Sequence, residues 1–300
     1  MGANYLVSFA IGRTTGTTDV APPSVVAEED SRTISENWRN LIQQTQAWGE
    51  TVHPETVTIK AADGLTLNGE YALYPEFSHL WVIAVHGYRG NHAHMYSFAS
   101  FYGQHGYNVL LPDLRGCGAS EGDYIGMGWP DRKDMLQWIG WIIKRDPEAQ
   151  IVLHGISMGG ATVIMTSGED LPPQVKVIVE DCGYTSVWDI FKDEMDALFH
   201  LPAFPILNIA SIISSFRAGY NFTEASSLKQ VKKAKVPMLF IHGEKDNFVH
   251  TDMVYPLYEA CPTEKQILVM EGAGHGSSFS MDPDLYFNTV FDFVEKYVKQ

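Results

Sequence analysis

Short, continuous apolar runs recur along the chain and alternate with longer segments of helical periodicity. A strand with one face in solvent alternates apolar and polar residues, whereas a strand covered on both faces is apolar throughout. From the third run onward the runs are continuous, which predicts an α/β fold with a mostly parallel, eight-stranded sheet between two layers of helices. The strand-like runs are 56–60, 65–71, 80–85, 108–111, 151–154, 175–180, 238–242 and 266–270.

The N-terminal part of the chain is predicted to differ from the alternating pattern that follows it. Residues 14–35 are rich in Thr, Pro, Ala and acids without an apolar period, which is typical of an extended surface segment. Residues 34–48 show helical spacing. The first two strand-like runs flank Asp63-Gly64, so we expect an antiparallel hairpin at the sheet edge. Further helices are predicted at 95–105, 131–145, 157–167, 254–260 and 283–299.

A long insertion without strand-like runs interrupts the alternation at 184–235. It has helix-like pieces near 187–198 and 205–216 and many apolar side chains, which need a surface to cover. We therefore expect a helical cap over the carboxyl edge of the sheet. The predicted domains are an N-terminal arm and helix at 1–55, a core made of 56–183 and 236–300, and the cap at 184–235.

The pentapeptide Gly155-Ile156-Ser157-Met158-Gly159 lies between the fifth strand-like run and a predicted helix. In a strand–turn–helix context, the serine of a Gly-x-Ser-x-Gly sequence occupies the tip of a strained turn and is exposed at the carboxyl edge of the sheet. Gly155 and Gly159 keep the neighbouring backbone clear of the turn. Ser157 is therefore predicted to be a nucleophile, and the alternative is a serine without a role in a glycine-rich turn.

A serine hydroxyl is a weak nucleophile at neutral pH, so a base must take its proton and a carboxylate must orient that base. Asp246 follows the seventh strand-like run, and His275 follows the eighth in a glycine-flanked loop. Both can reach the carboxyl edge of a parallel sheet, and the order Ser, Asp, His fits a known catalytic arrangement. The competing candidates are Asp181 and Asp252 for the acid, and His154, His242 and His250 for the base.

Two backbone N–H groups are candidates for an oxyanion hole, which stabilises the negative oxygen of an acyl-transfer intermediate. One belongs to Met158, directly after the nucleophile, and the other to Tyr88, in the loop after the third strand-like run. Gly87 lets that loop turn tightly. His92 and His94 are two residues apart, but no carboxylate or thiol cluster accompanies them, so no metal site is predicted.

The composition bears on the partners and on the location of the protein. A formal net charge of −15 and a pI near 5.1 disfavour nucleic acid. Cys117, Cys182 and Cys261 are too few and too scattered for a disulfide framework, which favours a reducing compartment. No segment has the roughly 20 apolar residues of a transmembrane helix. We expect a cytoplasmic protein without a membrane span, or an anchored or exported one if an N-terminal anchor was removed.

Together, these motifs resemble the capped α/β-hydrolases of the serine-aminopeptidase-like or Bem46-like kind, from Thr56 to the C-terminus. The resemblance is specific for the fold and poorly specific for substrate. It implies that Ser157, Asp246 and His275 form a catalytic triad, that the N–H groups of Tyr88 and Met158 form the oxyanion hole, and that no cofactor is used. The segments that carry it are His86-Gly87 with Asn91, Asp113–Ser120, Gly155–Gly160, Pro237–Gly243 with Asp246 and Val249, and Gly274-His275.

The predicted activity is hydrolysis by acyl transfer. A serine at the turn, where related dehalogenases and epoxide hydrolases use aspartate, indicates an acyl-enzyme. The apolar cap favours a small-molecule ester with an apolar portion. Three alternatives stay open: aminopeptidase-type amide cleavage, with Glu180, Asp181 or a cap acid for the substrate amine; transfer to an acceptor other than water; and a non-catalytic binding protein. The oligomeric state is not predicted.

Overall fold

A computed structural model describes residues 2–13 and 30–299. Within these ranges the chain forms eight β-strands and eleven α-helices, with 3₁₀ helices at His92–Met95 and Thr251–Met253. The strands are β1 (Glu55–Lys60), β2 (Thr66–Ala72), β3 (Leu80–Val85), β4 (Asn108–Pro112), β5 (Gln150–Ile156), β6 (Val175–Asp181), β7 (Met238–Gly243) and β8 (Lys265–Met270). The helices are α1 (Gly2–Ile11), α2 (Asp30–Val52), α3 (Tyr96–Gln104), α4 (Asp131–Arg145), α5 (Met158–Ser167), α6 (Val187–Phe199), α7 (Ala203–Arg217), α8 (Ser227–Val231), α9 (Val254–Ala260), α10 (Ser278–Met281) and α11 (Pro283–Val294).

The strands form a single sheet in the order β1-β2-β4-β3-β5-β6-β7-β8. β2 pairs antiparallel with both β1 and β4, and the other neighbours are parallel. Gly64 lies in the β1–β2 turn with φ of +92°, a conformation that glycine adopts without strain. The predicted mostly parallel, eight-stranded sheet and its edge hairpin are therefore confirmed.

Apolar side chains from the central strands supply both layers of the core. On β5, Ile151 and Leu153 pack into one layer, whereas Val152, between them, packs into the other. Successive side chains of a strand point to opposite faces, so a strand with a helical layer on each side must be apolar at every position. This arrangement explains the continuous apolar runs of the sequence.

The predicted helices between the strands are present, with differences at their ends. α4 and α9 have the predicted bounds, whereas α11 ends at Val294, before the predicted end at 299. The helix expected at 34–48 lies within α2. Residues 30–35, predicted to be extended, are the first residues of that helix, because packing of its later turns through Leu41 and Trp48 overrides the weak local pattern. The rest of that predicted arm, 14–29, lies outside the described residues.

A helix that the sequence did not predict, α1, precedes this region. An isolated helix of ten residues is marginal in water, so α1 depends on tertiary packing. Its Val7 and Ile11 are buried in the core, and the helix packs along α7. In the part of the chain that the structure describes, no helix is both long and apolar enough to cross a membrane.

The insertion between β6 and β7 contains helices α6, α7 and α8, and its described residues form no strand. The two longer helices coincide with the predicted helix-like pieces to within a few residues. The division of the chain into arm, core and cap stays a prediction. Cys117, Cys182 and Cys261 are buried free thiols.

Candidate active site

Ser157 occupies the turn between β5 and α5 with φ of 56° and ψ of −118°. A side chain rarely adopts a positive φ, and such strain persists where the surrounding structure fixes it. A Cβ atom at Gly155 would lie 2.1 Å from the carbonyl oxygen of Gly159, and one at Gly159 would lie 2.1 Å from that of Val85. Only glycine fits at these two positions, which holds the serine at the tip of the turn.

The structure brings the predicted serine, histidine and aspartate together at the carboxyl edge of the sheet. The Oγ of Ser157 lies 2.8 Å from Nε2 of His275. On the other side of the ring, Nδ1 of His275 lies 2.7 Å from Oδ2 of Asp246. Both oxygens belong to buried residues, and the Phe248 ring packs against the imidazole with its centroid 4.9 Å away. Loops after three different parallel strands therefore form one hydrogen-bonded chain.

The carboxylate of Asp246 is fixed by its own loop. Its Oδ1 accepts hydrogen bonds from the N–H groups of Phe248 and Val249, both at 3.0 Å. Burial acts to raise the pKa of Asp246, but hydrogen bonds from His242 and His275 outweigh it and lower this pKa to about 2. The group is therefore ionised at neutral pH. It favours a proton on Nδ1 of His275, which leaves the Nε2 lone pair facing Ser157.

The competing residues occupy other environments. The carboxylate of Asp181 accepts a hydrogen bond from the Tyr286 hydroxyl at 3.1 Å, and burial raises its pKa to about 6. His154 lies between the hydroxyls of Tyr102 and Tyr286, each 3.0 Å from a ring nitrogen, and burial lowers its pKa to about 3. Both are therefore structural core groups, while Asp252 and His250 are exposed.

His242 has a contact that the sequence did not indicate. Its buried Nε2 lies 2.8 Å from the carbonyl oxygen of Val249 and 3.4 Å from Oδ2 of Asp246. Burial acts to lower the pKa of His242, but its contacts with Asp246 and Val249 outweigh this effect and raise it. Asp246 thus lies between two imidazoles. The four-residue separation of His242 and Asp246 was the only sequence signal, and by itself it predicts no contact.

The candidate oxyanion groups lie beside Ser157. A Cβ atom at Gly87 would be 3.4 Å from the Cβ of Ser157, so the loop that carries Tyr88 closely approaches the serine. Among the described residues, no acceptor binds the N–H of Tyr88 or of Met158. These two donors are therefore available to a ligand. A neutral, buried His86 anchors the start of the loop, since its Nε2 accepts the N–H of Leu114 at 3.0 Å.

The other side of this loop rests on the C-terminal end of α1. The Tyr88 hydroxyl donates to the carbonyl oxygen of Ala10, and the Arg89 guanidinium donates to that of Phe9 at 2.6 Å. These two carbonyls end a helix and have no partner within it, so the loop supplies their hydrogen bonds. The sequence did not predict this link between the N-terminal helix and the loop.

Two groups of side chains contain possible metal ligands. His92 binds Asp113 through Nδ1 at 2.8 Å, and Asp113 also accepts two backbone N–H groups, so this carboxylate fixes its loop. Cys182, Asp246 and His275 place possible ligand atoms within 4.8 Å of one another. Burial raises the pKa of the Cys182 thiol well above its usual value, whereas a metal needs the thiolate. The other two residues already bind each other, so neither group fits a metal.

The fold and the site define a hydrolase of the α/β class. A family model described as "Alpha/beta hydrolase family" matches residues 82–289, more than half of the chain, and the chain therefore belongs to this family. Uncharacterized protein YqkD of Bacillus subtilis is 26% identical over 247 residues, which cover 82% of this chain and 81% of YqkD. Protein bem46 of Schizosaccharomyces pombe is 26% identical over 248 residues, 80% of this chain and 76% of bem46.

A solved structure gives the same picture of the fold. The Pyrococcus furiosus esterase PF2001 is similar with a TM-score of 0.68 and 23% sequence identity, over 93% of this chain and 98% of the esterase. At this identity the likeness establishes the architecture. The resemblance to α/β-hydrolases of the Bem46-like kind, drawn from sequence motifs, is confirmed by these comparisons.

Proposed function

We propose that this hydrolase is a serine carboxylic ester hydrolase with Ser157, His275 and Asp246 as its catalytic triad. One observation carries the proposal: two hydrogen bonds, of 2.8 and 2.7 Å, join a serine at positive φ through an imidazole to an ionised carboxylate. This is the geometry by which a base activates a serine hydroxyl.

In the first half of the reaction, Ser157 Oγ attacks the ester carbonyl carbon while Nε2 of His275 takes its proton. Asp246 stabilises the resulting imidazolium and keeps its orientation. The carbonyl π electrons move onto oxygen, and the N–H groups of Tyr88 and Met158 bind the oxyanion. Collapse of this intermediate breaks the bond between the acyl carbon and the alcohol oxygen. The alcohol receives its proton from His275 and departs, and the acyl group stays on Ser157 as an acyl-enzyme.

In the second half, a water molecule takes the place of the alcohol. His275 accepts a proton from this water as it attacks the acyl carbon, and the same two N–H groups bind the second oxyanion. Collapse releases the acid and returns the proton to Ser157. The residues supply every proton transfer in the cycle, so the proposed reaction uses no cofactor.

The substrate in this proposal is a small molecule with an apolar acyl or alcohol portion. Its support is the ring of Phe248, which packs on the catalytic imidazole, and the many apolar side chains of the insertion between β6 and β7. The net charge of −15 makes a nucleic-acid substrate unfavourable.

Amide cleavage beside a free amine is a second candidate, and one observation favours it. Glu194, on α6, is half-buried, interacts electrostatically with Asp246 and Tyr88, and has no cationic partner among the described residues. Burial first, and then Asp193 and Asp246, raise its pKa to about 7. Such a carboxylate can bind a substrate ammonium group. Glu180 and Asp181, also considered for this role, are completely buried and cannot reach the amine.

A panel of p-nitrophenyl esters of increasing acyl length, with aminoacyl p-nitroanilides beside it, tests both candidates. We expect Ser157→Ala to lower ester turnover by about 10⁴-fold or more. The matched control is Ser167→Ala at the end of α5, the helix that follows Ser157, because the Ser167 hydroxyl binds only a backbone carbonyl. Glu194→Gln should weaken hydrolysis only of substrates with a free amine. Ester turnover that survives Ser157→Ala would overturn the proposal.

A further inference from the structure

Helices α1 and α7 form an antiparallel pair at the surface. Near the end of α7, Arg217 donates hydrogen bonds to Asn4 Oδ1 at 2.8 Å and to Ser8 Oγ at 3.0 Å, both on α1. Near the start of α7, the Phe9 ring of α1 meets edge-on the ring of Phe199, the last residue of α6, with centroids 5.9 Å apart. We call the exposed apolar side chains on and next to this pair the apolar cap face: Tyr5, Phe9, Leu198, Phe199, Leu201, Phe204, Ile209, Ile212 and Phe216.

The apolar cap face is large for a monomeric protein. At about 200 Å² of surface for each aromatic side chain, the exposed fractions of its five rings add to roughly 600 Å². The four aliphatic side chains enlarge the area further. The largest contiguous apolar area on a typical monomer is about 300–600 Å², and an area at the upper end of that range often contacts a partner or a membrane.

The inner sides of the same helices are already packed. Val7 and Ile11 of α1, and Leu207 and Ala210 of α7, are buried in the core. The outer side chains are therefore not an unfinished part of the core, since each helix has a separate buried face. In the part of the chain that the structure describes, these outer side chains stay exposed.

The charge of this surface differs from that of the whole chain. The chain has 36 acidic residues among 300, but α1 and α7, with 25 residues together, have none. The single charge on the two helices is that of Arg217, which already binds Asn4 and Ser8. The part of the face on α1 and α7, which contains no acids in a protein of net charge −15, suits an uncharged, apolar occupant. Leu198 and Phe199, at the end of α6, lie beside the exposed Asp196.

The polar groups of the face favour lipid over protein. A protein interface contains about one hydrogen bond for every 100–200 Å², so a protein partner needs donors and acceptors placed across the contact. The apolar cap face offers mainly rings and branched aliphatic groups. A pair of antiparallel helices with such an outer side can lie in the plane of a lipid surface, with rings inserted between the head groups.

We propose that the apolar cap face binds the surface of a zwitterionic lipid layer, with α1 and α7 lying in its plane. Phosphatidylcholine is the head-group chemistry that matches, because the acidic remainder of the protein would repel anionic lipid. Such binding does not depend on the reactivity of Ser157.

Co-sedimentation with phosphatidylcholine vesicles tests this proposal, with Phe216→Ser and Phe77→Ser as a matched pair. The two phenylalanines are 86% and 88% exposed, and only Phe216 belongs to the apolar cap face. Wild type and Phe77→Ser should pellet with vesicles, and Phe216→Ser should partition at least about tenfold more weakly. Equal thermal unfolding midpoints would show that all three are folded.

Two results would overturn the proposal. One is a wild-type protein that stays in the supernatant, or a Phe216→Ser variant that pellets like wild type. The other is a wild-type dimer, measured by analytical ultracentrifugation, that Phe216→Ser dissociates while neither protein binds vesicles. That result would show that the apolar cap face contacts a second copy of the chain.

Discussion

Two regions of the molecule meet on opposite sides of the loop that carries Tyr88, and they are built differently. On one side, Ser157, His275 and Asp246 are polar and largely buried, and hydrogen bonds fix each of them. On the other side, α1 and α7 expose large apolar side chains and are held by packing beneath them. Hydrogen bonds hold the first region in place, and burial of apolar side chains beneath α1 and α7 holds the second.

This difference predicts different effects of substitutions on activity and on the free energy of unfolding. In the proposed mechanism the hydrogen bonds of the site orient groups for reaction, so losing one should lower activity more than the free energy of unfolding. Burial of apolar side chains beneath α1 stabilises the fold, so losing it should cost stability directly. Substitutions in the site should therefore mainly lower activity, whereas substitutions beneath α1 should mainly lower the free energy of unfolding.

The largest expected effect is on the polar side. Asp246→Asn keeps the shape of the residue but removes the charge that orients His275, so kcat for a p-nitrophenyl ester should fall by about 10³- to 10⁴-fold. Steady-state kinetics and circular dichroism on the same preparation would check activity and fold together. A loss of less than tenfold would mean that Asp246 does not act as the orienting acid.

A stability effect is expected on the apolar side. Ile11→Ala empties part of the core at the end of α1, and the free energy of unfolding should fall by about 2–4 kcal/mol. Tyr5→Ala, on the exposed side of the same helix, is the control and should change it by less than about 0.5 kcal/mol. Urea unfolding measures both. Equal effects would show that α1 is not held by its buried face.

The pH dependence of stability sharpens the contrast, because only the polar side contains the shifted carboxylate. The pKa of Asp246 is lowered from its usual 3.8 to about 2 in the folded protein, so its ionisation stabilises the fold above the unfolded pKa. That contribution, about 2 kcal/mol, should be lost as pH falls from 4 through 2. Relative to Asp246→Asn, wild type should lose stability over this range, and parallel curves would contradict the shift.

The smallest effect is expected where the two regions touch. Tyr88→Phe removes the hydrogen bond to the Ala10 carbonyl and keeps the ring and the backbone N–H. The free energy of unfolding should fall by about 1 kcal/mol, and kcat should fall by a few fold with KM unchanged, because the N–H is held less firmly. A kcat equal to that of wild type would show that α1 does not position the loop.

The same division explains how much the sequence could predict. The eight strands and the turn at Ser157 follow from local patterns: continuous apolar runs, and two glycines whose Cβ atoms would meet backbone oxygens. The α1 helix and its link to Tyr88 depend on contacts between chain segments far apart in sequence. His242 and Asp246 are only four residues apart, but this spacing by itself does not place one side chain against the other. No local spacing encodes such contacts, so the sequence predicted the three site residues but not the groups around them.

Covalent labelling with a fluorophosphonate, followed by intact-mass and peptide mass spectrometry, tests directly whether Ser157 is an activated nucleophile. A fluorophosphonate reacts with a serine only where a base activates the hydroxyl. We expect one label per chain, on Ser157, and none on Ser157→Ala. A wild-type protein that stays unlabelled, or a label that persists on Ser157→Ala, would contradict it.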